Sequence, residues 1–421
     1  MSKFIIQGGN PLRGKVKISG SKNAATPIIA ATILTREKCV LENVPKIRDV
    51  NNLLDILKGM GADIKWVEEH KLEIQCGDIS LDKLDRKAVK KMRSSVLLLG
   101  PLLSRFHRID NFPEPGGCII GNRPLDAHFA ALKALGAEIE VDGNRGAYSM
   151  KAEKLANAEI TLPEFSVTAT ENLLMAASTI SGKTIIRGAA VEPHVQNLIK
   201  FLNALGAKIT FSGQHEITVE GAEDLRGAKH TIIPDQIEIG TFAAAAAATR
   251  GDIEIESVDL SHLDLIILKL KQIGAQIEIG EGKLRVSTDG SLKAFKLQTM
   301  PYPGFPTDLQ APFGLLATQA IGTSLIHDPL FEGRMGYVGE LVKMGANAVV
   351  CDPHRVLITG ATPLYGMEIR SLDLRAGATL ILAGLAAEGE TVIHDAEIVE
   401  RGYERFDERL RALGAEITKI D

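Results

Sequence analysis

Aromatic residues are scarce in this chain: 13 Phe, 5 Tyr and 1 Trp make up 5% of its 421 residues. Cysteine is scarcer still, with four residues: Cys39, Cys76, Cys118 and Cys351. They form no CxxC pair, and no histidine lies near them at the spacing of a zinc finger. This spacing argues against a disulfide framework and a structural metal, and it fits a reducing cytoplasm.

Long apolar runs and runs of one charge are also missing. No window approaches the ~20 apolar residues of a membrane span, and the opening MSKFIIQGGNPLRG has no apolar stretch long enough for a signal peptide. The net charge is −5, with no lysine/arginine run and few aromatic side chains to stack on bases, so a nucleic-acid role is disfavoured. Without a P-loop, a GxGxxG after a strand or an HExxH motif, ATP, NAD and zinc chemistry lack their signatures. We expect a soluble cytosolic protein that uses no cofactor and no metal.

Glycine, in contrast, is abundant at 40 residues, and six glycines mark an internal repeat. A helical stretch, a Gly-Ala pair and a strand recur in ILKGMGADIKW, ALKALGAEIEV, FLNALGAKITF, LKQIGAQIEI, LVKMGANAVV and RALGAEITKI. The glycines are Gly61, Gly136, Gly206, Gly274, Gly345 and Gly414, separated by 75, 70, 68, 71 and 69 residues. Glycine suits the left-handed C′ position that ends a helix. The pattern therefore predicts six copies of one unit of about 70 residues.

Each copy also holds an Ala/Leu-rich helix, a turn and a strand, as in LLMAASTISGKTIIRGA, FAAAAAATRGDIEIES, LLATQAIGTSLIHDP and LILAGLAAEGETVIHDA. These helices are apolar nearly all round, which predicts that they are buried. Helices such as HFAALKALG are amphipathic and should cover the sheets. Each copy thus reads helix–strand–helix–strand–strand, and three copies around a pseudo-threefold axis would place helices inside and sheets outside.

The expected fold class is therefore α/β (α+β), with two domains of three copies each. The alternative is a solenoid of stacked repeats, but the period is longer than the 20–50 residues typical of solenoids, and no polar capping unit is present. We expect residues 22–232 to form one domain, with the Cys118 loop, and residues 1–21 plus 233–421 the other. The strand FIIQGG could complete the last domain, so that the chain crosses between domains twice.

Four polar loops interrupt the repeat and could carry chemistry. In ISGSKNAATP, Lys22 and Asn23 precede a helix, where backbone N–H groups bind anions; the alternative is an N-cap beside a solvated lysine. In FPEPGGCIIGNRP, Cys118 lies five residues before Arg123, and a nearby guanidinium stabilises a thiolate. A lone cysteine is more often a small buried hydrophobe, but a glycine-rich loop offers it no core.

The other two loops present carboxylates and guanidinium groups. Three prolines precede Asp308 in PYPGFPTD, although Asp308 could merely cap the helix that follows. SLDLRAG holds Asp373 and Arg375, and VERGYER holds Arg401; either could be only a surface salt bridge. Cations in glycine-rich loops together with groups that carry protons suit a small polyanion and proton-transfer chemistry.

At these loops the sequence resembles the UDP-N-acetylglucosamine 1-carboxyvinyltransferases, the bacterial enolpyruvyl transferases that commit UDP-N-acetylglucosamine to peptidoglycan. The matching stretches run from near residue 10 to the C-terminus and are SGSKNAATPIIAATIL, MRSSVLLLGPLL, PGGCIIGNRPLDAH, PYPGFPTDLQ, FEGRMGYVGEL, LDLRAGATLILAGLAAEG and RGYERFDERLRALGA. The resemblance implies a two-domain inside-out α/β barrel of six βαβαββ-type repeats, with the active site in the interdomain cleft.

The resemblance also implies roles at matching positions. Lys22, Arg123 and Arg401 should hold the phosphate and carboxylate of phosphoenolpyruvate. Asp308 should be the base for the sugar 3′-hydroxyl, and Cys118 the acid and the site of a transient thiol adduct. Asp373 and Arg375 should complete the catalytic set. The residues expected to bind the UDP-sugar are Asn23, Arg93, Arg123, Pro124, Leu125, Asp126, Ser166, Val167, Asp308 and Leu330, and those in supporting positions are Glu192, Asp235, His128 and Arg334.

Two residues depart from the family pattern. The family usually has glycine at the position of Thr168, and often a basic or hydroxylated residue near Glu164. Both lie where the UDP diphosphate is expected to pass, and a carboxylate there would repel it. These departures motivate the hypothesis of a non-catalytic paralogue that binds a UDP-sugar or another protein. A further hypothesis is the sister class that uses shikimate 3-phosphate, which ranks lower because that class lacks the PGGC cysteine.

The resemblance generates a prediction for Cys118. Replacing it with alanine should abolish thiol-directed inactivation by fosfomycin, because the thiol assigned to react with the inhibitor would be absent. The measurement is residual phosphate release after incubation with the inhibitor, for the wild type and Cys118→Ala. Unchanged sensitivity would defeat the assignment of Cys118.

Overall fold

The structure, a computed structural model, describes residues 2–117, 120–121, 123–144 and 146–420. Its contacts divide it into two compact units. Unit A comprises residues 20–117, 123–144 and 146–233, and unit B comprises residues 2–19, 120–121 and 234–420. That residues 22–232 and residues 1–21 plus 233–421 are separate domains stays a prediction.

Short strands make up the sheets of both units. In chain order they are β1 Lys3–Gln7, β2 Arg13–Lys17, β3 Lys38–Glu42, β4 Asp63–Glu68, β5 Lys71–Gln75, β6 Arg108–Pro113, β7 Glu138–Asp142, β8 Ala147–Lys151, β9 Glu159–Thr161, β10 Gly182–Arg187, β11 Lys208–Gly213, β12 Glu216–Gly221, β13 Lys229–Thr231, β14 Asp252–Glu256, β15 Gln276–Gly280, β16 Lys283–Ser287, β17 Lys296–Gln298, β18 Gly322–His327, β19 Asn347–Asp352, β20 Arg355–Gly360, β21 Glu368–Arg370, β22 Glu390–His394 and β23 Glu416–Ile420.

The α-helices are α1 Lys22–Ala31, α2 Arg48–Met60, α3 Arg86–Val89, α4 Leu99–Phe106, α5 Asp126–Ala134, α6 Val167–Ala177, α7 Pro193–Leu205, α8 Gln236–Ala248, α9 Asp264–Ile273, α10 Gln310–Gln319, α11 Tyr337–Lys343, α12 Leu374–Ala386 and α13 Phe406–Ala412. Short 3-10 helices lie at Thr32–Leu34, Leu81–Lys83, Arg93–Leu98, Leu260–His262, Thr307–Leu309, Arg334–Gly336 and Ala396–Arg401.

Each unit surrounds buried helices with small sheets. In unit A the strand orders are β13-β3-β5-β4, β6-β8-β7 and β11-β12-β10-β9. In unit B they are β15-β16-β14-β2, β17-β18-β20-β19 and β21-β22-β1-β23. The N-terminal strand β1 lies antiparallel between β22 and β23, so it completes the sheet that contains the last strand of the chain.

The predicted repeat is confirmed by the order of the elements and by the glycines. The run α1, β3, α2, β4, β5 has the predicted order helix–strand–helix–strand–strand. The repeat glycines all have positive φ, and they are Gly61 (113°), Gly136 (100°), Gly206 (120°), Gly274 (107°), Gly345 (107°) and Gly414 (96°). A side chain is strained in this left-handed region, which explains why glycine recurs where each helix gives way to a strand.

The prediction that the Ala/Leu-rich helices are buried is also confirmed. All but one residue of α8 and of α12 are buried, and these two helices pack against α10 and against each other in unit B. In unit A, α6 packs against α4, α5 and α7. The amphipathic α2 instead buries one face, through Val50, Leu53 and Leu57. Within the described residues no helix is long and apolar enough to span a membrane.

Gly414 and Gly100 are needed for different reasons, one for its backbone conformation and the other for close packing. A Cβ on Gly414 would meet no described atom within 4 Å, so only its φ of 96° opposes a side chain. A Cβ on Gly100 in α4 would lie 2.4 Å from the Asn172 carbonyl oxygen in α6. Gly100→Ala must therefore move one helix away from the other.

We expect Gly414→Ala to lower the free energy of unfolding by about 1 kcal/mol and Gly100→Ala by about 3 kcal/mol. Urea unfolding of the full chain, followed by circular dichroism, measures both changes. Equal losses in the two variants would contradict the packing argument.

Candidate active site residues

The carboxylate of Asp308 lies between two arginines of unit B. Asp308 is in the 3-10 helix that leads into α10. Arg334 Nη2 lies 2.8 Å from Asp308 Oδ1, while Arg375 donates to Asp308 Oδ2 from Nε (3.1 Å) and Nη2 (3.0 Å). Hydrogen bonds between ions are about twice as strong as neutral ones and fix orientation. The structure therefore brings together Asp308, Arg334 and Arg375, which the sequence places far apart.

Arg375 is itself held from several sides. It is 5% exposed, and its guanidinium lies over the ring of Tyr403 at 5.2 Å. Burial acts to lower the pKa of Arg375, but the charges of Tyr403, Asp308 and Asp235 outweigh it, so the pKa is raised. The Tyr403 hydroxyl shares a hydrogen bond of 2.9 Å with Thr241. Arg375 is thus a fixed cation, and the suggestion that it forms only a surface salt bridge is wrong.

Asp373 and Asp235 both cap buried helices. The Asp373 carboxylate accepts hydrogen bonds from the Arg375 and Ala376 N–H groups at the start of α12. Asp235 does the same for Ile237 and Glu238 at the start of α8. Burial raises the pKa of Asp235, which is 3% exposed, and the nearby Arg375 opposes this shift. The starts of α8 and α12 therefore contribute Asp235 and Arg375 to the charged groups connected with Asp308.

Asp328 is a structural residue that sequence reasoning missed. It is fully buried, and its carboxylate accepts hydrogen bonds from Thr299 Oγ1 (2.8 Å), Thr307 Oγ1 (2.5 Å) and the Leu330 N–H (3.0 Å). These bonds fix the residue before Asp308 and the backbone of Leu330, whose side chain is 37% exposed. Arg401 is half-buried at the end of the 3-10 helix Ala396–Arg401.

In unit A, Lys22 is the first residue of α1 and pairs with Asp49 of α2. Lys22 Nζ lies 3.1 Å from Asp49 Oδ2, and the two side chains are only 16% and 2% exposed. The alternative of a solvated lysine is therefore wrong; Ser21 occupies the N-cap position, but its side chain makes no capping hydrogen bond. Asn23 follows in α1 and is half-buried.

Arg93 and Arg123 meet near the glycine-rich loop. Arg93 Nη2 donates to the Arg123 carbonyl oxygen at 2.5 Å, and burial lowers the pKa of Arg93. A Cβ on Gly117 would lie 3.3 Å from Arg123 Nη2, so this guanidinium lies against the residue that precedes Cys118. Cys118 itself lies outside the described residues, and its predicted reactivity stays a prediction. Pro124 and Leu125, which follow Arg123, lead into α5, and α5 begins at the exposed Asp126.

Ser166 and Val167 begin α6, and both are half-buried. The following Thr168 places Oγ1 2.8 Å from Nε2 of His128 on α5. His128 is 2% exposed, and burial, aided by the charge of Arg93, lowers its pKa to about 3. His128 is therefore a neutral imidazole between two helices.

Glu171 is a buried carboxyl group that the sequence analysis did not single out. It lies in α6, is 1% exposed, and its Oε1 has no hydrogen-bond partner among the described residues. Burial, together with the charge of Glu192 before α7, raises the pKa of Glu171 well above its usual value. A glutamate shortly before the apolar run LLMAA, in a helix expected to be buried, was the signal that could have found it.

Asp308 does not cap α10, because the cap position is Leu309 and no side chain makes a capping bond there. The part of the chain that the structure describes contains no group of three or more His, Cys, Asp or Glu side chains placed to hold a metal ion. Unit B offers a carboxylate oriented by guanidinium groups, and unit A offers guanidinium groups and a lysine at a helix start; each set suits an anionic substrate.

Comparison with known proteins gives a consistent result. Residues 6–410 match the family model described as EPSP synthase (3-phosphoshikimate 1-carboxyvinyltransferase). The chain is 45% identical over 420 residues to a UDP-N-acetylglucosamine 1-carboxyvinyltransferase of Halothermothrix orenii, covering 100% of both chains. It is also 45% identical over 421 residues to UDP-N-acetylglucosamine 1-carboxyvinyltransferase 1 of Carboxydothermus hydrogenoformans, covering 100% of this chain and 99% of that one.

Solved structures share the fold. The enolpyruvyl transferase NikO from Streptomyces tendae superimposes with a TM-score of 0.90 at 24% identity, covering 100% of this chain and 99% of that one. An EPSP synthase from Acinetobacter baumannii gives a TM-score of 0.76 at 21% identity, with 100% of both chains covered. At these identities the likeness concerns the fold alone, and it confirms the predicted fold class.

The buried Glu171 predicts how stability depends on pH. Its pKa is raised in the folded state, so the folded protein keeps a proton that the unfolded chain loses above about pH 4.5. Stability contributed by this proton is complete below that pH and is lost as the pH rises towards the folded-state pKa. We therefore expect Glu171→Gln to raise the free energy of unfolding at pH 8 by about 1–3 kcal/mol, and by less at pH 5.

Urea unfolding at the two pH values tests this expectation. Glu220→Gln serves as the control, because Glu220 is exposed on β12 of the same unit. A Glu171→Gln variant that is equally destabilised at both pH values would contradict the assignment of a buried, protonated carboxyl group.

Proposed function

The chain belongs to the EPSP synthase family of enolpyruvyl transferases, and from this premise we propose that it acts on UDP-N-acetylglucosamine. It transfers the enolpyruvyl group of phosphoenolpyruvate to the 3′-hydroxyl of the sugar and releases phosphate, which is the first committed step of peptidoglycan synthesis. The observation that carries this proposal is the 45% identity along the whole chain to relatives that bear this name.

The reaction is an addition followed by an elimination. Protonation of C3 of phosphoenolpyruvate, which is an enol phosphate, makes C2 electrophilic, and the sugar hydroxyl attacks C2 to give a tetrahedral phosphoketal. Loss of a proton from C3 then expels phosphate. The protein must therefore remove a proton from the hydroxyl, move a proton to and from C3, and hold the negative charge of the phosphate and carboxylate.

In unit B we assign the proton from the hydroxyl to Asp308. Arg334 and Arg375 bind its two oxygens and so orient the carboxylate. Such fixed geometry matters because a base must lie within hydrogen-bond reach of the proton that it removes. Asp373 acts by capping α12 and thereby placing Arg375, while Arg401 is assigned to the anionic groups of phosphoenolpyruvate.

In unit A we assign Lys22 and Arg123 to the same anionic groups. The ion pair with Asp49 orients Lys22 at the start of α1, where backbone N–H groups also favour an anion. The residues assigned to the UDP-sugar are Arg93, Asn23, Pro124, Leu125, Asp126, Ser166 and Val167 in unit A and Asp308 and Leu330 in unit B. Cys118 is assigned as the acid, which the position of Arg123 beside Gly117 supports.

The partners of this protein are thus two small molecules, phosphoenolpyruvate and the sugar nucleotide. We place the reaction in the cytoplasm, because the spacing of the four cysteines suits a reducing compartment. Cys39 and Cys76, which are buried, and the exposed Cys351 are free thiols.

A second candidate substrate is shikimate 3-phosphate, because the matching family model is described by that activity. Identity favours the sugar nucleotide, since the relatives named for it are 45% identical whereas the solved EPSP synthase is 21% identical. Phosphate release with phosphoenolpyruvate and either UDP-N-acetylglucosamine or shikimate 3-phosphate distinguishes the two. Release with shikimate 3-phosphate alone would overturn the proposal, and calorimetric binding of the nucleotide without turnover would favour a non-catalytic paralogue.

The role of Asp308 gives a further prediction. Asp308→Asn should lower kcat by about 10²- to 10⁴-fold, because an amide does not accept the hydroxyl proton. The measurement is phosphate release at saturating concentrations of both substrates. Asp224→Asn, at an exposed position, is the control and should keep wild-type activity. A kcat of Asp308→Asn within threefold of the wild type would remove Asp308 from the role of base.

A further inference from the structure

Three separate elements of unit A carry residues assigned above to the UDP-sugar. Arg93 opens the 3-10 helix Arg93–Leu98, residues 123–126 lead into α5, and Ser166 with Val167 begins α6. A nucleotide that contacts all three requires them at fixed distances from one another. The residues that set these distances therefore affect the binding of the nucleotide even where they do not touch it.

The first connection joins the 3-10 helix to the approach of α5. Arg93 Nη2 donates to the Arg123 carbonyl oxygen at 2.5 Å. This bond uses the side chain of one assigned residue and the backbone of another, so the two cannot move apart independently.

The second connection joins the 3-10 helix and α4 to α6 through Asn172. Asn172 is fully buried; its Nδ2 donates to the Val96 carbonyl (3.0 Å) and to the Thr168 carbonyl (3.0 Å), and its Oδ1 accepts from the Gly100 N–H (2.7 Å). A buried amide that is bonded at both ends is costly to displace. Asn172 therefore fixes the first turn of α6, including Thr168, against the neighbouring helix.

The third connection joins α6 to α5, two helices that pack against each other, through a side-chain hydrogen bond near their N-terminal ends. Thr168 Oγ1 lies 2.8 Å from His128 Nε2, and His128 lies in the first turn of α5, two residues after Asp126. The other ring nitrogen, Nδ1, is buried without a hydrogen-bond partner among the described residues. The Thr168 hydroxyl is consequently the group that satisfies the buried imidazole, and its loss would leave the ring without a described polar contact.

The charges around His128 favour the neutral form of the ring. Burial is the main cause of its lowered pKa, and the nearby Arg93 guanidinium is the second. A neutral imidazole can share a hydrogen bond with a hydroxyl without adding charge between the two helices. The contact thus keeps the same character throughout the neutral pH range.

We propose that Thr168 and His128 are positioning residues for the sugar nucleotide, which hold the starts of α6 and α5 at the separation that the UDP group requires. This inference rests on the proposed function. The resemblance only placed Thr168, in the position of a family glycine, near the expected path of the diphosphate, whereas the hydrogen bond gives Thr168 a structural role. The Thr168 hydroxyl forms a hydrogen bond with His128, and this bond connects the start of α6 to the start of α5.

The test compares Thr168→Val, which keeps the shape of the side chain and removes the hydroxyl, with Thr168→Ser, which keeps the hydroxyl. In the full-length enzyme we expect Thr168→Val to raise KM for UDP-N-acetylglucosamine about tenfold, the effect of one lost buried hydrogen bond. The kcat value and KM for phosphoenolpyruvate should stay within about twofold of the wild type, and Thr168→Ser should restore most of the affinity.

Thr179→Val is the matched control. Thr179 is half-buried just beyond the other end of α6, where its hydroxyl donates only to the Ala176 carbonyl (2.9 Å), so its loss should leave both KM values unchanged. A His128→Leu/Thr168→Val double variant should raise KM by less than the product of the two single effects, because the residues act through each other.

Calorimetric titration with UDP-N-acetylglucosamine keeps the test independent of turnover. If the wild type binds and turns over the nucleotide but Thr168→Val has an unchanged Kd and KM, the positioning role is refuted and the proposed function stands. If both KM values and kcat change together, the effect is general to the fold and the inference is equally refuted. If the wild type neither binds nor converts the nucleotide, the proposed function fails first.

Discussion

The helices that are buried on all sides place one constraint on the rest of this structure. The N–H groups in the first turn of such a helix have no intrahelical partners, and in the protein interior they need other hydrogen-bond acceptors. In unit B the starts of α8 and α12 are satisfied by Asp235 and Asp373. Polar and charged residues are thus required at these helix starts, and the candidate site residues Asp373 and Arg375 are found at the start of α12.

The same constraint explains why the charged groups are so well paired. Arg375 is 5% exposed, and a guanidinium at that depth is stable only when carboxylates and polar groups surround it. Asp308, Asp235 and Tyr403 provide that surrounding. Lys22 and Asp49 solve the same problem in unit A with a single ion pair. Pairing of this kind leaves cations oriented and partly desolvated, which is the condition in which they bind a small polyanion strongly.

Unit A meets the constraint mainly with neutral groups. Asn172 and Thr168 bond to backbone and imidazole between neighbouring helices, and His128 stays uncharged. Glu171 belongs with these neutral groups, because burial beside Glu192 disfavours its charge and its carboxyl group retains the proton. The two units therefore share an architecture but distribute charge differently: charged groups surround Arg375 in unit B, whereas unit A combines the Lys22–Asp49 ion pair with these neutral contacts.

The repeat, the buried helices and the glycine at the end of each amphipathic helix could be predicted from the sequence, because they depend on local periodicity and on backbone conformation. The loops around Lys22, Asp308 and Arg375 were recognisable because prolines, glycines and charged residues interrupt that periodicity. The contacts of Asp308 could not be predicted in this way, since Arg334 and Arg375 lie 26 and 67 residues further along the chain.

By itself, the sequence determined the six copies, the class of fold and the set of polar loops, since hydrophobic periodicity and glycine placement act over a few residues. Only the tertiary structure decided which charges pair, that Lys22 meets Asp49, that Asp328 fixes the residue before Asp308, and that the Thr168 hydroxyl bonds to His128. These pairings depend on how helices from distant parts of the chain pack, and the pattern of residues along the sequence carries no record of that packing.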